Sequence, residues 1–116
     1  MIDQQESPVR YSVEFTEEAL ADIRSIRDYI ESELLAQKAA IRTVASILDA
    51  ASSLSTLPYR NRSLSPDTAK QSVRSAKAGN YRLLYLIANT NVKIFAVLYG
   101  KRDIEGRLSS LLERIQ

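Results

Sequence analysis

The residues best suited to chemistry are the cations in the second half of the chain. From Pro58 to Arg102 there are nine basic residues and one acid, Asp67, whereas residues 1–57 hold five basic and ten acidic residues. The nine cations are Arg60, Arg62, Lys70, Arg74, Lys77, Arg82, Lys93, Lys101 and Arg102. The net charge of +2 conceals this division. Such a cationic stretch is typical of a surface that meets phosphates or another polyanion.

Two residue types are missing, and their absence limits the reaction classes. The chain contains no histidine and no cysteine. This excludes Ser-His-Asp and Cys-His catalysis, thiolate zinc sites and disulfides. Acid–base chemistry would have to use Lys, Tyr, Asp or Glu, or rely on the electrostatics of Arg. The acidic residues show no metal-site spacing, so we expect neither a metal nor another cofactor.

Length and composition predict one small globular domain. A chain of 116 residues can enclose one modest core, and 45% hydrophobic with 26% charged residues are globular values. No apolar run approaches the ~18 residues of a membrane span. The polar, acidic N-terminus does not resemble a signal peptide, so we expect a cytoplasmic protein without membrane contact. Residues 1–9 are predicted to form a flexible tail, and residues 10–116 a single domain.

Hydrophobic periodicity predicts the elements that position these cations. Alternation over residues 10–15 indicates a strand, and Thr16 can cap the helix that follows. Apolar residues at steps of three and four predict two helices in an antiparallel hairpin that ends at Pro58. The expected buried stripes are Leu20, Ile23, Ile26, Ile30 and Leu34, and then Ile41, Val44, Ile47, Leu48, Ala51 and Leu54.

Three strand-like runs follow the hairpin. They cover residues 71–76, 80–88 and 92–99, with turns expected at 78–80 and 89–91. Leu108 begins an apolar series that predicts a short C-terminal helix. The order is β-α-α-β-β-β-α, an α+β fold in which the N-terminal helical hairpin packs on a small antiparallel sheet.

Three local patterns accompany this order and give a resemblance. They are YSVEFTEEALADI at residues 11–23, GNYRLLY at 79–85 and VLYGKRD at 97–103. In this order and spacing they resemble the RelE/ParE superfamily, the toxins of type II toxin–antitoxin pairs. The resemblance implies one of two targets. RelE-like members cut mRNA in the ribosomal A site, whereas ParE-like members share the fold, lack the nuclease residues and inhibit DNA gyrase.

The resemblance also assigns expected roles to residues. Arg82 and Arg102 match the arginines that hold the scissile phosphate and stabilise its transition state in the nuclease branch, a task that suits fixed guanidinium groups. Lys70 lies near that branch's basic residues and is a candidate base, and Lys77 is a candidate phosphate contact. Where many nuclease members have a tyrosine, this chain has Leu108, which favours the gyrase branch. Tyr99 is a possible substitute.

The remaining cations and aromatic residues are expected to bind rather than react. The expected nucleic-acid-binding set is Arg60, Arg62, Arg74, Lys77, Lys101 and Tyr59, with Tyr59 best placed to stack on a base. For Tyr29, Tyr81 and Tyr85 we expect core packing.

The leading hypothesis is a type II toxin that arrests growth by ribosome-dependent, metal-independent mRNA cleavage. The alternatives are a non-nuclease toxin that inhibits DNA gyrase, or a degenerate member that only binds an antitoxin. The expected partners are a cognate antitoxin, in a hetero-oligomer, and either the ribosome with mRNA or gyrase.

Overall fold

A computed structural model of the protein describes residues 9–64 and 72–115, and it leaves out the side chains of residues 101–103 and 105. The elements follow one another as strand, two helices, three strands and helix, which confirms the predicted α+β order. Residues 1–8 of the predicted tail and the candidate base Lys70 lie outside the described residues.

The elements have the following bounds. The strands and helices are β1 Ser12–Phe15, α1 Glu17–Asp28, α2 Gln37–Ser53, β2 Arg74–Ala78, β3 Tyr81–Ala88, β4 Asn91–Tyr99 and α3 Gly100–Leu112. Shorter turns are a π-helical turn, Tyr29–Glu33, and two 3₁₀ turns, Pro58–Arg60 and Glu113–Ile115.

The start of α1 is as predicted. The Thr16 hydroxyl accepts a hydrogen bond from the Ala19 amide at 3.1 Å. Glu17 and Glu18 occupy the first turn, where the helix dipole favours negative charge.

The sheet is mixed, with strand order β1-β4-β3-β2. Strands β2, β3 and β4 form the predicted antiparallel meander. Its two-residue loops begin at Gly79 and Asn89, whose φ angles of +61° and +56° are ones that Gly and Asn tolerate. The sheet differs from the antiparallel prediction in one respect, because β1 pairs parallel to β4, from Ser12 opposite Asn91 to Phe15 opposite Ile94.

Helices cover both faces of the sheet. The hairpin of α1 and α2 covers one face, called here the hairpin face, over a core that includes Ile23, Ile47 and Leu83. The other, the α3 face, is covered by α3 over Leu84, Phe95 and other buried residues. The strands β3 and β4 are therefore buried on both sides through most of their length.

The predicted apolar stripes of the hairpin are confirmed in part, since their members Ile23, Ile30, Ile47, Ala51 and Leu54 are buried. Ala19, Ile23, Ala40, Ile47 and Ala51 are buried, and the alanines let the helices approach the sheet closely. The predicted stripe members Leu20, Leu34, Ile41 and Leu48 are between 37% and 63% exposed. Their assignment to the core was wrong, because apolar periodicity does not show which side of a broad stripe faces the sheet.

The helix α3 begins earlier than predicted. Instead of starting near Leu108, it starts at Gly100, directly after β4, with a φ of +76° that favours glycine. Lys101 and Arg102 therefore lie in the first helical turn rather than in an extension of the strand. Leu108 is half-buried against the core of the α3 face, as predicted.

Two side chains complete the backbone bonding of β4 where its neighbour β1 stops. The Asp22 carboxylate accepts from the Val97 amide at 2.9 Å, and Arg114 donates to the Phe95 carbonyl at 3.0 Å. Asp22 and Arg114 also pair with each other at 2.8 Å. This arrangement, called here the edge clamp, joins α1, β4 and the last 3₁₀ turn. Among the described helices, none has the length and apolar character to cross a membrane.

Candidate functional site

Two predicted cations, Lys77 and Arg82, stand opposite each other on neighbouring strands. The register of β2 and β3 pairs Lys77 with Arg82, and the two-residue loop at Gly79 fixes that register. Directly opposed residues have Cβ atoms about 4.5–5.5 Å apart, and like charges so placed repel each other. Among the side chains that the structure describes, neither Lys77 nor Arg82 belongs to an ion pair. The pair is therefore a ready anion site, which we call the cationic pair.

The cationic pair lies on the α3 face of the sheet. Along β3, Leu83 and Tyr85 enter the hairpin-face core while Leu84 and Leu86 enter the α3-face core, so Arg82 shares the α3 side. Lys77 is exposed and Arg82 is half-buried. Both groups can thus reach a ligand at this end of the sheet.

The start of α3 lies at the same end of the sheet. The Gly100 amide donates to the Asn80 carbonyl at 2.9 Å, which holds the first turn of α3 against the loop between β2 and β3. Leu98, two residues before Gly100, pairs with Arg82. The backbone therefore brings the turn that contains Lys101 and Arg102 to the cationic pair, and the positive end of the helix dipole adds to the field.

A buried serine next to the cationic pair was not predicted. Ser75 lies two residues before Lys77, on the same face, and is 9% exposed. Its hydroxyl has no hydrogen-bond partner among the described residues, which is costly for a buried polar group. No feature of the sequence distinguishes this serine from the other serines of the chain, and only its burial in the structure identifies it.

Other residues that were predicted to bind nucleic acid lie away from the cationic pair. Arg74 points to the other side of β2, where it donates to the carbonyl oxygens of Tyr59 and Asn61 and lies 5.0 Å from the centre of the Tyr59 ring. Arg60 donates to the Ser53 hydroxyl at 2.8 Å. The Arg74 contacts hold the loop after α2 against the sheet, and the Arg60 contact holds it against the end of α2. Arg62 in the same loop is exposed.

The core role predicted for Tyr85 is confirmed. Its ring is fully buried, and its hydroxyl donates to the Pro58 carbonyl and accepts from the Asn61 amide. Burial raises the pKa of Tyr85, and the Asn61 hydrogen bond opposes that rise.

Tyr99 does not stand beside Arg82. It pairs with Tyr81 across β3 and β4, and the two rings meet edge to face at 5.3 Å on the hairpin side. The suggestion that Tyr99 replaces the missing tyrosine of the nuclease branch therefore fails, because Arg82 faces the other side. Burial raises the pKa of Tyr81, and the neighbouring Tyr99 and Tyr29 add to the rise.

An apolar groove of about 550 Å³ lies on that hairpin side, at the same end of the sheet. We call it the tyrosine groove, and its walls are Ser25, Ile26, Tyr29, Ile30, Leu34, Tyr81 and Tyr99. Tyr29 is 57% exposed here, so its predicted place in the core was wrong. Ile30 is the buried residue at this point of the chain, so the adjacent Tyr29 lies off the buried stripe. A π-helical turn starts at Tyr29, and in it the Leu34 amide bonds back to the Tyr29 carbonyl, which shifts the phase of the residues that follow and leaves Leu34 exposed.

The described part of the chain offers no cluster of three or more acidic residues that could hold a metal ion. The cationic pair has the chemistry to hold an anion, and the tyrosine groove has the chemistry to hold an apolar side chain.

Comparison with known proteins gives a consistent set of relatives. The family model of the ParE toxin of the type II toxin–antitoxin system parDE matches residues 13–104. The structure of the toxin–antitoxin complex RelBE2 from Mycobacterium tuberculosis includes a chain 30% identical to this one, with 78% of this chain and 99% of that chain covered and a TM-score of 0.56. No curated protein matches in sequence.

Two further structures share the fold at lower identity. One is the chromosomal ParDE toxin–antitoxin system of P. aeruginosa, at 14% identity and a TM-score of 0.64, covering 79% of this chain and 98% of that chain. The other is the archaeal RelE–RelB complex of Pyrococcus horikoshii OT3, at 18% identity and a TM-score of 0.57, covering 80% and 98%.

Proposed function

Because the chain belongs to the ParE toxin family of type II toxin–antitoxin systems, we propose that it arrests growth by binding its target without cutting RNA, and that the target is DNA gyrase. One observation carries the choice of a non-nuclease toxin. Arg82 and Lys77 can hold an anion, but no described side chain beside them takes the place of the tyrosine expected in the nuclease branch, since Tyr99 faces away and Leu108 packs against the core of the α3 face.

The proposed mechanism is electrostatic docking. Two neighbouring cations at the end of a sheet, with a helix start beside them, create a positive field that attracts an acidic surface. Lys101 and Arg102 would extend this field from the first turn of α3. Arg60 and Arg62, in the loop after α2, would add to the field only at longer range, and the role of Lys70 stays a prediction. Gyrase is a target in the cytoplasm, which is where the proposal places this protein.

We further propose a cognate antitoxin as partner. The relatives named above were solved as toxin–antitoxin complexes, and the RelBE2 chain is 30% identical to this one. A hetero-oligomer that includes the antitoxin is the assembly we expect.

The test measures supercoiling by purified gyrase. We expect the wild-type protein to inhibit it, and the Arg82→Glu and Lys77→Glu variants to need about tenfold more protein, because each reverses a charge at the centre of the docking site. Lys93→Glu is the matched control, since Lys93 is an exposed cation on the same face at the other end of β4. It should stay within about twofold of wild type. No inhibition by micromolar wild-type protein would refute the gyrase target.

A second candidate is ribosome-dependent mRNA cleavage, and it is favoured by the 30% identity to the RelBE2 chain and by the phosphate-binding chemistry of Arg82. It predicts new mRNA ends inside codons soon after induction. The double variant Arg82→Ala with Arg102→Ala should then abolish arrest, whereas a docking surface would lose only part of its effect. Antitoxin binding without any growth arrest would identify a degenerate toxin.

A further inference from the structure

We infer that a pocket beside the edge clamp binds a small monocarboxylate with an apolar body. The pocket has a volume of about 330 Å³, and its walls come from the ends of β3 and β4, the residue after β1 and the last 3₁₀ turn. We call it the clamp pocket, because Arg114 of the edge clamp lines it. It shares no wall with the cationic pair or the tyrosine groove, so the inference is independent of the proposed function.

The floor of the clamp pocket is apolar on one side and polar on the other. The register pairs Leu86 with Lys93 and Ala88 with Asn91, and all four residues line the pocket. Leu86 enters the core of the α3 face, and strand alternation places the other three on that same face. Ile115 adds an apolar side chain from the last turn. A ligand on this floor therefore meets apolar surface along β3 and N–H donors along β4.

Arg114 supplies a guanidinium that is already held in place. It donates to the Asp22 carboxylate at 2.8 Å and 3.4 Å and to the Phe95 carbonyl at 3.0 Å, and its side chain is 21% exposed. These three hydrogen bonds use three of the five N–H groups of the guanidinium, so two remain for a ligand. Because two fixed acceptors orient the group, little conformational entropy is lost when an anion binds to it.

Lys93 and Thr16 add further donors to the pocket. The Thr16 hydroxyl accepts from the Ala19 amide, so its own O–H can donate to a ligand. Lys93 is exposed, and although Glu14 stands opposite it on β1, no ion pair joins it to any side chain that the structure describes. None of the described residues that line the pocket is acidic. The set of donors therefore suits an anion.

The charge and the volume of the pocket determine the class of anion. Asp22 compensates the charge of Arg114, which leaves Lys93 as the cation in the walls without a bonded acid. One negative charge balances it, as a carboxylate provides, whereas a phosphate dianion brings one charge too many. At the ~30 Å³ that each water occupies in the liquid, the volume holds roughly ten non-hydrogen atoms. A carboxylate with a body of about five carbons fits this space and covers the apolar side of the floor.

The experiment titrates the full chain with hexanoate at neutral pH and follows backbone amide and arginine Nε–H signals by NMR. We expect the signals of Asn91, Lys93 and Arg114 to shift with a Kd of about 1 mM or below. Hexanamide, which lacks the charge, and acetate, which lacks the apolar body, should each bind about tenfold more weakly.

Two variants test the two sides of the floor. Lys93→Gln removes the charge and Ala88→Leu fills the apolar side, and each should weaken hexanoate binding about tenfold. The matched controls are Lys38→Gln and Ala45→Leu, which change an exposed lysine and an exposed alanine on α2, outside the clamp pocket. They should bind within about twofold of wild type. Thermal melting confirms that each variant is folded, and because Lys93 and Ala88 are both exposed, neither change disturbs the core.

Four results would overturn the inference. The first is the absence of any shift at about 20 mM hexanoate, well above the expected Kd. The second is equal binding of hexanoate and hexanamide, or of the wild type and folded Lys93→Gln, because the pocket would then not recognise charge. The third is a set of shifts confined to Lys77 or Tyr81, which would place the ligand at the cationic pair or the tyrosine groove. The fourth is tighter binding of inorganic phosphate at Asn91 and Lys93, which would replace the carboxylate by a phosphate.

Discussion

Replacing Asp22 by alanine should destabilise the fold by about 2.5–4 kcal/mol. The Asp22 carboxylate accepts a backbone hydrogen bond from β4 at a point where the neighbouring strand β1 has already ended. The change removes the acceptor of the Val97 amide at 2.9 Å and the partner of Arg114 at 2.8 Å. Val97 is 3% exposed, so its amide gains little water in exchange.

The magnitude follows from the contacts. A hydrogen bond to a charged group contributes about 1.5–3 kcal/mol, and a buried donor left without a partner costs about 1–3 kcal/mol. The Asp22 and Arg114 side chains are 19% and 21% exposed, so we take the lower part of the summed range. Asp22→Asn keeps an oxygen for the Val97 amide and loses the charge, which should cost about 1–2 kcal/mol.

The assay is urea unfolding followed by circular dichroism, arranged as a double-mutant cycle with Arg114→Ala. The two single variants should not be additive, and we expect a coupling of about 1 kcal/mol or more because both remove the same ion pair. A loss below about 0.5 kcal/mol for Asp22→Ala, which is the size of an ordinary surface substitution, would refute the role of the edge clamp. Additive single variants would show that Asp22 and Arg114 act independently.

Two further predictions concern backbone conformation and pH. Leu35 has a φ of +50°, a left-handed conformation that strains any residue other than glycine, and it is 86% exposed. Leu35→Gly should therefore raise the free energy of unfolding, measured in urea, by about 0.5–1 kcal/mol. A lower free energy of unfolding would contradict this strain. Burial raises the pKa of Tyr81 and Tyr85 above the ordinary 10.0. The unfolded chain therefore loses these protons first, and stability present below pH 10 should fall as pH rises through the folded pKa values. Unfolding at pH 9 to 11 tests this, with Tyr85→Phe expected to flatten the decline.

Local patterns of the sequence predicted the elements well, but not their long-range pairing. The Thr16 cap, the meander and its two loops depend on residues close in sequence, and all were predicted. The parallel pairing of β1 with β4 was not, because strand periodicity shows which side of a strand is buried and not which strand lies beside it. The exposed positions of Leu20 and Ile41 were missed for a similar reason, since small alanines took the closest positions against the sheet.

The candidate site was predicted in part. Arg82 was predicted from the resemblance of GNYRLLY to the family pattern, and its pairing with Lys77 follows from the two-residue loop at Gly79. The face of the sheet on which Tyr99 lies is set by the register of β4 with β3, and that register shifts at a bulge between Leu84 and Tyr85. No local pattern in the sequence shows this bulge. The tyrosine groove depends on the π-helical turn that starts at Tyr29. The spacing of apolar residues does not show where such a turn interrupts the α-helix.

The parallel pairing of β1 also affects the order in which the newly made chain can fold. Residue 12 finds its partner at residue 91, and Asp22 finds Arg114, so the sheet edge closes only after nearly all of this sequence has been synthesised. The hairpin and the meander consist of neighbouring segments and can form earlier. A nascent chain on the ribosome therefore holds Lys77 and Arg82 on an unfinished scaffold, and synthesis itself delays the appearance of a complete toxin.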